Sequence, residues 1–408
     1  MPTTTIAELD RDDPLKGHRA LFELPDGIIY LDGNSLGPLT AAARKRAATV
    51  VAEQWGGALI RAWNEHHWID LPGKVGDRIG RLIRAPAGSV LACDTTSVNI
   101  FKLLAAALAL RPDRTIILSD AGNFPTDLYI AHGLTKLMGA GKTLRVVPIQ
   151  DIGRSLDKSV AAVLLTDVDY RTGERRDMAG LTHTIQASGA LAIWDLCHSA
   201  GAMPTDVTAA GVDLAVGCSY KYLNGGPGAP AWLYVAPKHL DAVSQPLTGW
   251  LGHAAPFRFE LDYRPAPSIA RMLAGTPSVI ALSVLDAALD AFDAVDMDAL
   301  RAKSLKLADV FHARVAERCP EIERLTPMAD DARGSQLAYR FEHGYAVIQA
   351  LIDQGVIGDF RAPHIMRFGF TPLYLSYPDV ARAGDLLADV LGRKPWLKPK
   401  YQARKAVT

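Results

Sequence analysis

The chain has 408 residues, 49% of them hydrophobic, enough to bury one or two sizeable cores. Its 44 basic residues balance 44 acidic ones, which leaves no electrostatic footprint for nucleic acid or an anionic membrane. The cysteines Cys93, Cys197, Cys218 and Cys319 form no C-x-x-C pair and no zinc spacing, so the reading is a reduced, cytoplasmic chain without a metal.

In chain order, Met1 to Asp13 has no cationic start and no apolar core, which argues against a signal peptide. Gly33 to Pro38 reads as a turn, and Asn34 within it is a polar group able to meet a ligand. His66 and His67 have no companion ligands at metal spacing. Apolar stretches such as Leu103 to Leu110 fall far short of the ~20 residues that span a bilayer.

From about residue 90 to 235, short apolar runs alternate with stretches of helical spacing. The runs are Val90 to Cys93, Thr115 to Leu118, Leu144 to Val147, Val160 to Leu165, Leu191 to Trp194, Leu214 to Cys218 and Ala231 to Val235. Runs apolar at every position predict strands buried on both faces, hence a mainly parallel sheet wrapped by helices. Ligands in such sheets bind at the carboxyl ends of the strands. Three candidate groups fall there: Asp195, Lys221 and the loop Asp120 to Asp127.

Lys221 lies between Tyr220 and Tyr222 and runs into a glycine-rich turn, Asn224 to Gly228. That turn lacks the G-x-G-x-x-G and G-K-[ST] patterns and precedes a strand, so it is not a nucleotide loop. Desolvation there favours the neutral amine that imine formation requires. Asp195 is a good helix cap and equally a good partner for a pyridine nitrogen; His198 follows three residues later. Asp94 to Ser97 leads into a helix over Val98 to Leu110 and suits either a cap or a phosphate. An imine-forming lysine, an acid for a ring nitrogen and a phosphate cradle are what pyridoxal 5'-phosphate (PLP) requires of a protein.

After Pro277 the pattern changes to two long amphipathic helices, Ser278 to Val295 and Met297 to Cys319. Shorter strands (Leu337 to Phe341, Ile365 to Phe368) and helices (Tyr345 to Gln354, Asp379 to Leu391) follow. The predicted division is a large domain, 48–277, and a smaller α+β domain of 1–47 with 278–408. Arg367, in a strand-like apolar setting, needs an anionic partner, and a carboxylate clamp suits its guanidinium. The basic tail from Lys394 to Lys405 reads as a solvated or crossing segment rather than a binding site.

Several of these strings together carry a resemblance: Leu31 to Gly37, Asn123 to Asp127, Trp194 to Gly201, Cys218 to Gly226, Leu247 to His253 and Pro372 to Tyr374. Over essentially its whole length the chain resembles the kynureninases, PLP enzymes of fold type I, the aspartate aminotransferase-like group. The resemblance implies hydrolysis of L-kynurenine to anthranilate and L-alanine by a homodimer with shared active sites. Lys221 would carry the cofactor, Asp195 meet its ring nitrogen and His198 lie beside the ring. Thr96, Ser97 and Tyr220 would hold the phosphate, with Trp250 and Thr276 reaching it across the dimer interface. Phe124, Pro125, Thr126, Asp127 and Thr166 would line the cofactor, Phe124 by stacking. Arg367 would take the substrate carboxylate, with Asn34 and Gly275 also at the substrate. Tyr220 is the candidate proton donor. Where animal members that favour the 3-hydroxylated substrate resemble Ser-Asn, this chain has Gly275-Thr276, which implies preference for the unhydroxylated ring.

Two rival readings follow from other features. A cysteine desulfurase or selenocysteine lyase of the same fold needs a cysteine on a mobile loop, and none of the four is so placed. A PLP-binding regulator without turnover needs a nucleic-acid-binding segment, which the sequence lacks.

Overall fold

The structure is a computed structural model and describes residues 5–139 and 141–404. The strands are β1 (Ile29–Tyr30), β2 (Val90–Ala92), β3 (Ile116–Asp120), β4 (Thr143–Val147), β5 (Val160–Thr166), β6 (Leu191–Asp195) and β7 (Leu214–Gly217). They continue as β8 (Trp232–Val235), β9 (Glu323–Arg324), β10 (Gln336–Arg340), β11 (Val356–Ile357), β12 (Asp359–Arg361) and β13 (Ile365–Gly369).

Each predicted apolar run between residues 90 and 235 is a strand of one seven-stranded sheet, in the order β2-β8-β7-β6-β5-β3-β4. Pairing is parallel from β7 through β4, while β8 is antiparallel to both β7 and β2. The reversal is the work of the glycine-rich turn, where Asn224 takes φ +57° and Gly226 and Gly228 also have positive φ. β5 and β6 are buried almost throughout, as strands covered by helices on both faces must be. Helix Thr96–Leu110 packs one face of the sheet with Ile100, Leu103, Leu104 and Leu108.

A second sheet, β12-β13-β10-β9, is antiparallel throughout. Helices Met297–Arg318 and Tyr377–Arg393 pack together beside it, with Phe311 against Phe368 and Phe370. The parallel pair β1–β11 ties the N-terminal segment to this half of the chain. The long helix expected over Ser278 to Val295 is instead Val279–Ala288 followed by a 3₁₀ turn, Leu289–Phe292.

Of the two alternatives for the tail, solvated or crossing, the structure excludes the solvated one. Trp396 and Tyr401 are buried, Trp396 stacks on His343 at 4.7 Å between centroids, and the Tyr401 hydroxyl donates to Asp353 at 2.9 Å. Two large aromatic side chains with apolar surface to hide outweigh the basic residues around them, so the segment docks. Met1 to Thr4 and Lys405 lie outside the described residues. Among the described residues no helix is long and apolar enough to cross a membrane, and no His/Cys/Asp/Glu group could hold a metal ion.

Candidate active site

The carboxyl ends of β2, β3, β5, β6 and β7 converge on one cavity of ≈ 220 Å³. The segment after β2 brings Thr95, Thr96 and Ser97; that after β3 brings Phe124, Thr126 and Asp127. Thr166 ends β5 and Tyr170 follows it; Asp195 ends β6 and leads to Cys197 and His198; Tyr220 and Lys221 follow β7. Adjacent parallel strands present their ends side by side, so residues far apart in sequence become neighbours.

One wall suits an anion. Thr95 is the cap of helix Thr96–Leu110, its Oγ1 accepting from Val98 N at 3.3 Å, so the cap reading holds for this residue. Thr96 and Ser97 then present hydroxyls in the first helical turn, where backbone N–H groups and the helix dipole favour negative charge. Ser97 Oγ stands 3.5 Å from Thr126 Oγ1, which joins the two loops.

The cavity also holds two acids. Asp195 is buried, and its Oδ1 accepts from Cys197 N at 2.8 Å. Burial pushes its carboxyl upward, and that hydrogen bond with Lys221 offsets only part of the push. Asp127 is fully buried, with both carboxylate oxygens unpartnered among the described residues. Burial and the neighbouring Asp195 raise it well above the usual carboxylate range. An unpaired buried carboxylate is costly, so this part of the cavity calls for a cationic N–H donor.

Lys221 Nζ lies 2.9 Å from His198 Nε2 and 5.7 Å from the Tyr220 ring centroid. Burial does push the ammonium down, but the acidic groups of Cys218, Cys197, Tyr220 and Asp195 outweigh it and hold the lysine above its ordinary value. Burial pushes the Tyr220 hydroxyl up to about 12, so it is a proton donor rather than a phenolate. His198 is buried and held well below its ordinary value by desolvation and the charges of Lys221 and Arg367, so its ring is neutral.

The other expected site residues lie elsewhere in this chain. Pro125 opens helix Pro125–Met138, outside the cavity lining. Trp250 is half-exposed, stacked with Phe259, and lines a separate apolar pocket with Trp63 and Phe257. Gly275 and Thr276 line a pocket beside Asp94 and Thr95. Asn34 is buried against the backbone at Gly369, and both of its side-chain polar atoms are without a hydrogen-bond partner among the described residues. Arg367, 1% exposed, already has the anion its setting demands. Asp359, its cross-strand neighbour, takes Nε at 2.7 Å and also Nη2, while Nη2 reaches Ser35 at 3.1 Å and Nη1 the Tyr170 carbonyl.

Sequence reasoning missed four contributors. Asn123, buried, accepts from Phe124 N at 2.8 Å and from the Thr166 hydroxyl, and donates to Ser119 at 3.2 Å; it braces the Phe124–Asp127 loop against β3 and β5. Its signal was present, as the first residue of the Asn123 to Asp127 stretch that carries the resemblance. Tyr170 meets Phe124 edge-on at 5.0 Å, and Cys197 Sγ accepts from Cys218 N at 3.0 Å. Gln336 comes from the second sheet, and no local pattern marks it.

The cavity fits PLP: hydroxyls and a helix start for the phosphate, paired buried acids for a protonated ring nitrogen, and a lysine in the same lining. The solved structures that this chain resembles agree on the fold. They include a cysteine desulfurase from Escherichia coli (TM-score 0.75, 19% identity, 92% of this chain and 97% of that one). A cysteine desulfurase from Thermococcus onnurineus NA1 matches with TM-score 0.75 and 17% identity, over 96% and 100% of the two chains. The fold is thus that of the fold type I PLP-dependent enzymes, and the cavity's side chains suit that cofactor.

Sequence narrows the class. The family model described as Kynureninase C-terminal domain matches residues 300–387. The kynureninase of Pseudomonas fluorescens is 49% identical over 407 residues, 98% of each chain, and that of Burkholderia pseudomallei strain K96243 matches equally over the same span. The chain belongs to the kynureninase family.

Proposed function

We propose that this enzyme uses PLP to hydrolyse the Cβ–Cγ bond of L-kynurenine, giving anthranilate and L-alanine. The observation that carries the reading is the set Lys221, His198, Asp195 and Asp127 in one cavity with a hydroxyl-lined helix start. PLP, when bound, supplies an electrophilic carbon and a ring that stores the electron pair released from substrate carbons. Asp195, with Asp127 beside it, holds the ring nitrogen's proton, and Thr96, Ser97 and Tyr220 hold the phosphate. Lys221 would carry the cofactor and take up the substrate α-proton at its Nζ. Tyr220, protonated at neutral pH, delivers a proton to the alanine carbon after the bond breaks. Arg367 takes the substrate carboxylate. The test is absorbance with and without L-kynurenine followed by anthranilate fluorescence; absence of anthranilate would overturn the reading.

Part of the same proposal is a cytoplasmic homodimer in which Trp250 and Thr276 complete the partner's phosphate site. Trp250, Phe257, Phe259 and Leu261 are exposed apolar side chains gathered in one segment, as an interface requires. We divide the chain into 48–277 around the large sheet, and 1–47 with 278–408 around the small one. Tryptophan catabolism and the supply of NAD precursors would be its setting. A desulfurase reading is weaker, because all four cysteines are buried and Cys197 is held by the Cys218 backbone; alanine release from cysteine would revive it.

Asp195→Asn is expected to keep the fold and lose most turnover, since a neutral amide cannot stabilise a pyridinium. Near-normal kcat would show that the carboxylate is only a cap for Cys197 N. For ring selectivity, a Cβ at Gly275 meets nothing within 4 Å, so a serine there has room. Gly275-Thr276→Ser-Asn is expected to shift kcat/KM toward 3-hydroxykynurenine, because a site that bonds a hydroxyl rejects the ring lacking it. A wild-type preference for the hydroxylated ring would place its recognition elsewhere, with the Trp63 to Trp68 segment the next to examine.

A further inference from the structure

Gln336 opens β10 in the second sheet and is 1% exposed, yet its side chain reaches the wall of the cavity. Its Nε2 donates to the Tyr170 carbonyl at 3.1 Å, with the Asp169 carbonyl at 3.5 Å. Carbonyls only accept, so the amide nitrogen must face them and Oε1 must face His198 Nδ1, 3.1 Å away. Gly173 makes the approach possible. Its φ is +74°, and a Cβ there would stand 2.9 Å from Gln336 Cγ.

An amide oxygen cannot donate, so the imidazole proton sits on Nδ1. In the neutral ring Nε2 is then a bare acceptor, and it faces Lys221 Nζ at 2.9 Å. The opposite tautomer would set an N–H against an ammonium and leave Oε1 without a donor. We propose that Gln336 is a positioning residue for Lys221: it locks His198 as the Nδ1–H tautomer and so keeps a proton acceptor at the lysine nitrogen. The link also joins the two halves of the site, because the Tyr170 carbonyl that orients Gln336 accepts from Arg367 as well. The catalytic part of the proposal rests on the role given to Lys221, whereas the tautomer itself does not.

The experiment is ¹⁵N NMR of histidine-labelled protein, with and without bound PLP, with His198 assigned by its loss in His198→Gln. The expected spectrum has a protonated Nδ1 and an unprotonated Nε2. Gln336→Glu keeps an acceptor facing Nδ1 and should keep Nδ1 protonated. Gln336→Leu should lose the fixed tautomer and lower kcat by about 10²-fold, the lower range for a proton-transfer group, with little change in KM. A wild-type His198 protonated on Nε2, or an unchanged tautomer and kcat in Gln336→Leu, overturns the proposal. Should the leucine variant not fold, the wild-type and glutamate spectra decide the assignment. If Lys221 proves not to carry the cofactor by borohydride reduction, the functional reading fails while the tautomer result stands on its own.

Discussion

Lys221→Ala is expected to eliminate the visible band of bound cofactor and to lower turnover by more than the ~10²–10⁴-fold that a general acid–base group alone contributes. Two tasks are lost together: covalent attachment of the cofactor and proton transfer at the substrate α-carbon. No neighbouring lysine can substitute. Lys102 is fully buried but committed to Asp94 at 2.6 Å and to the Met272 carbonyl at 2.5 Å. The fold should survive, because losing the ammonium leaves Asp127 and Asp195 with raised carboxyl groups that take up protons instead. Borohydride treatment followed by mass measurement checks the outcome. A reducible protein–cofactor link in the alanine variant would remove Lys221 from its assigned role.

The large sheet was legible because its central strands are apolar along most of their length, edge strand β4 with Arg145 being the exception, and the strand ends then located Asp195 and Lys221. The helices were read unevenly. Val98 to Leu110 has an unbroken apolar pattern and was seen, whereas helix Leu71–Leu82 was not. Pro72, Gly73, Gly76 and Gly80 interrupt it in sequence, yet Gly76 is what lets it close on β2, where a Cβ would stand 2.2 Å from the Val90 carbonyl. Val50–Ala58, a π-helical stretch, carries no 3.6-residue period to detect. In the site, Asp195 and Lys221 could be found from local pattern, whereas Thr166 came only with the family resemblance and Tyr170 and Cys197 with neither. Gln336 and Asp359 could not be read locally, since what matters about each is a contact with a residue distant in space or on a neighbouring strand. The inference that Arg367 needs an anion was sound; the anion the fold supplies is its own.

That internal anion shapes the second large effect. Arg367→Met leaves Asp359 buried with Arg361, at 2.8 Å, and the Ser35 hydroxyl, at 2.9 Å, to offset it. Breaking a buried pair from one side costs about 3–5 kcal/mol, so the single variant is expected to lose stability and substrate affinity together. The two effects separate in Arg367→Met combined with Asp359→Leu. Replacing both charges of a buried pair by apolar groups is often neutral or stabilising, so the double variant should regain much of the lost stability. It should not regain substrate affinity if the guanidinium is the carboxylate partner, because no cation returns to the site. Denaturation midpoints and KM for L-kynurenine, measured for wild type, both single variants and the double, form a closed cycle. The expected pattern is a stability coupling between the two residues with KM raised in every protein lacking Arg367. If KM recovers alongside stability in the double variant, Arg367 is a structural partner of Asp359 and the substrate carboxylate is held elsewhere, with the partly exposed Arg361 the nearest remaining cation.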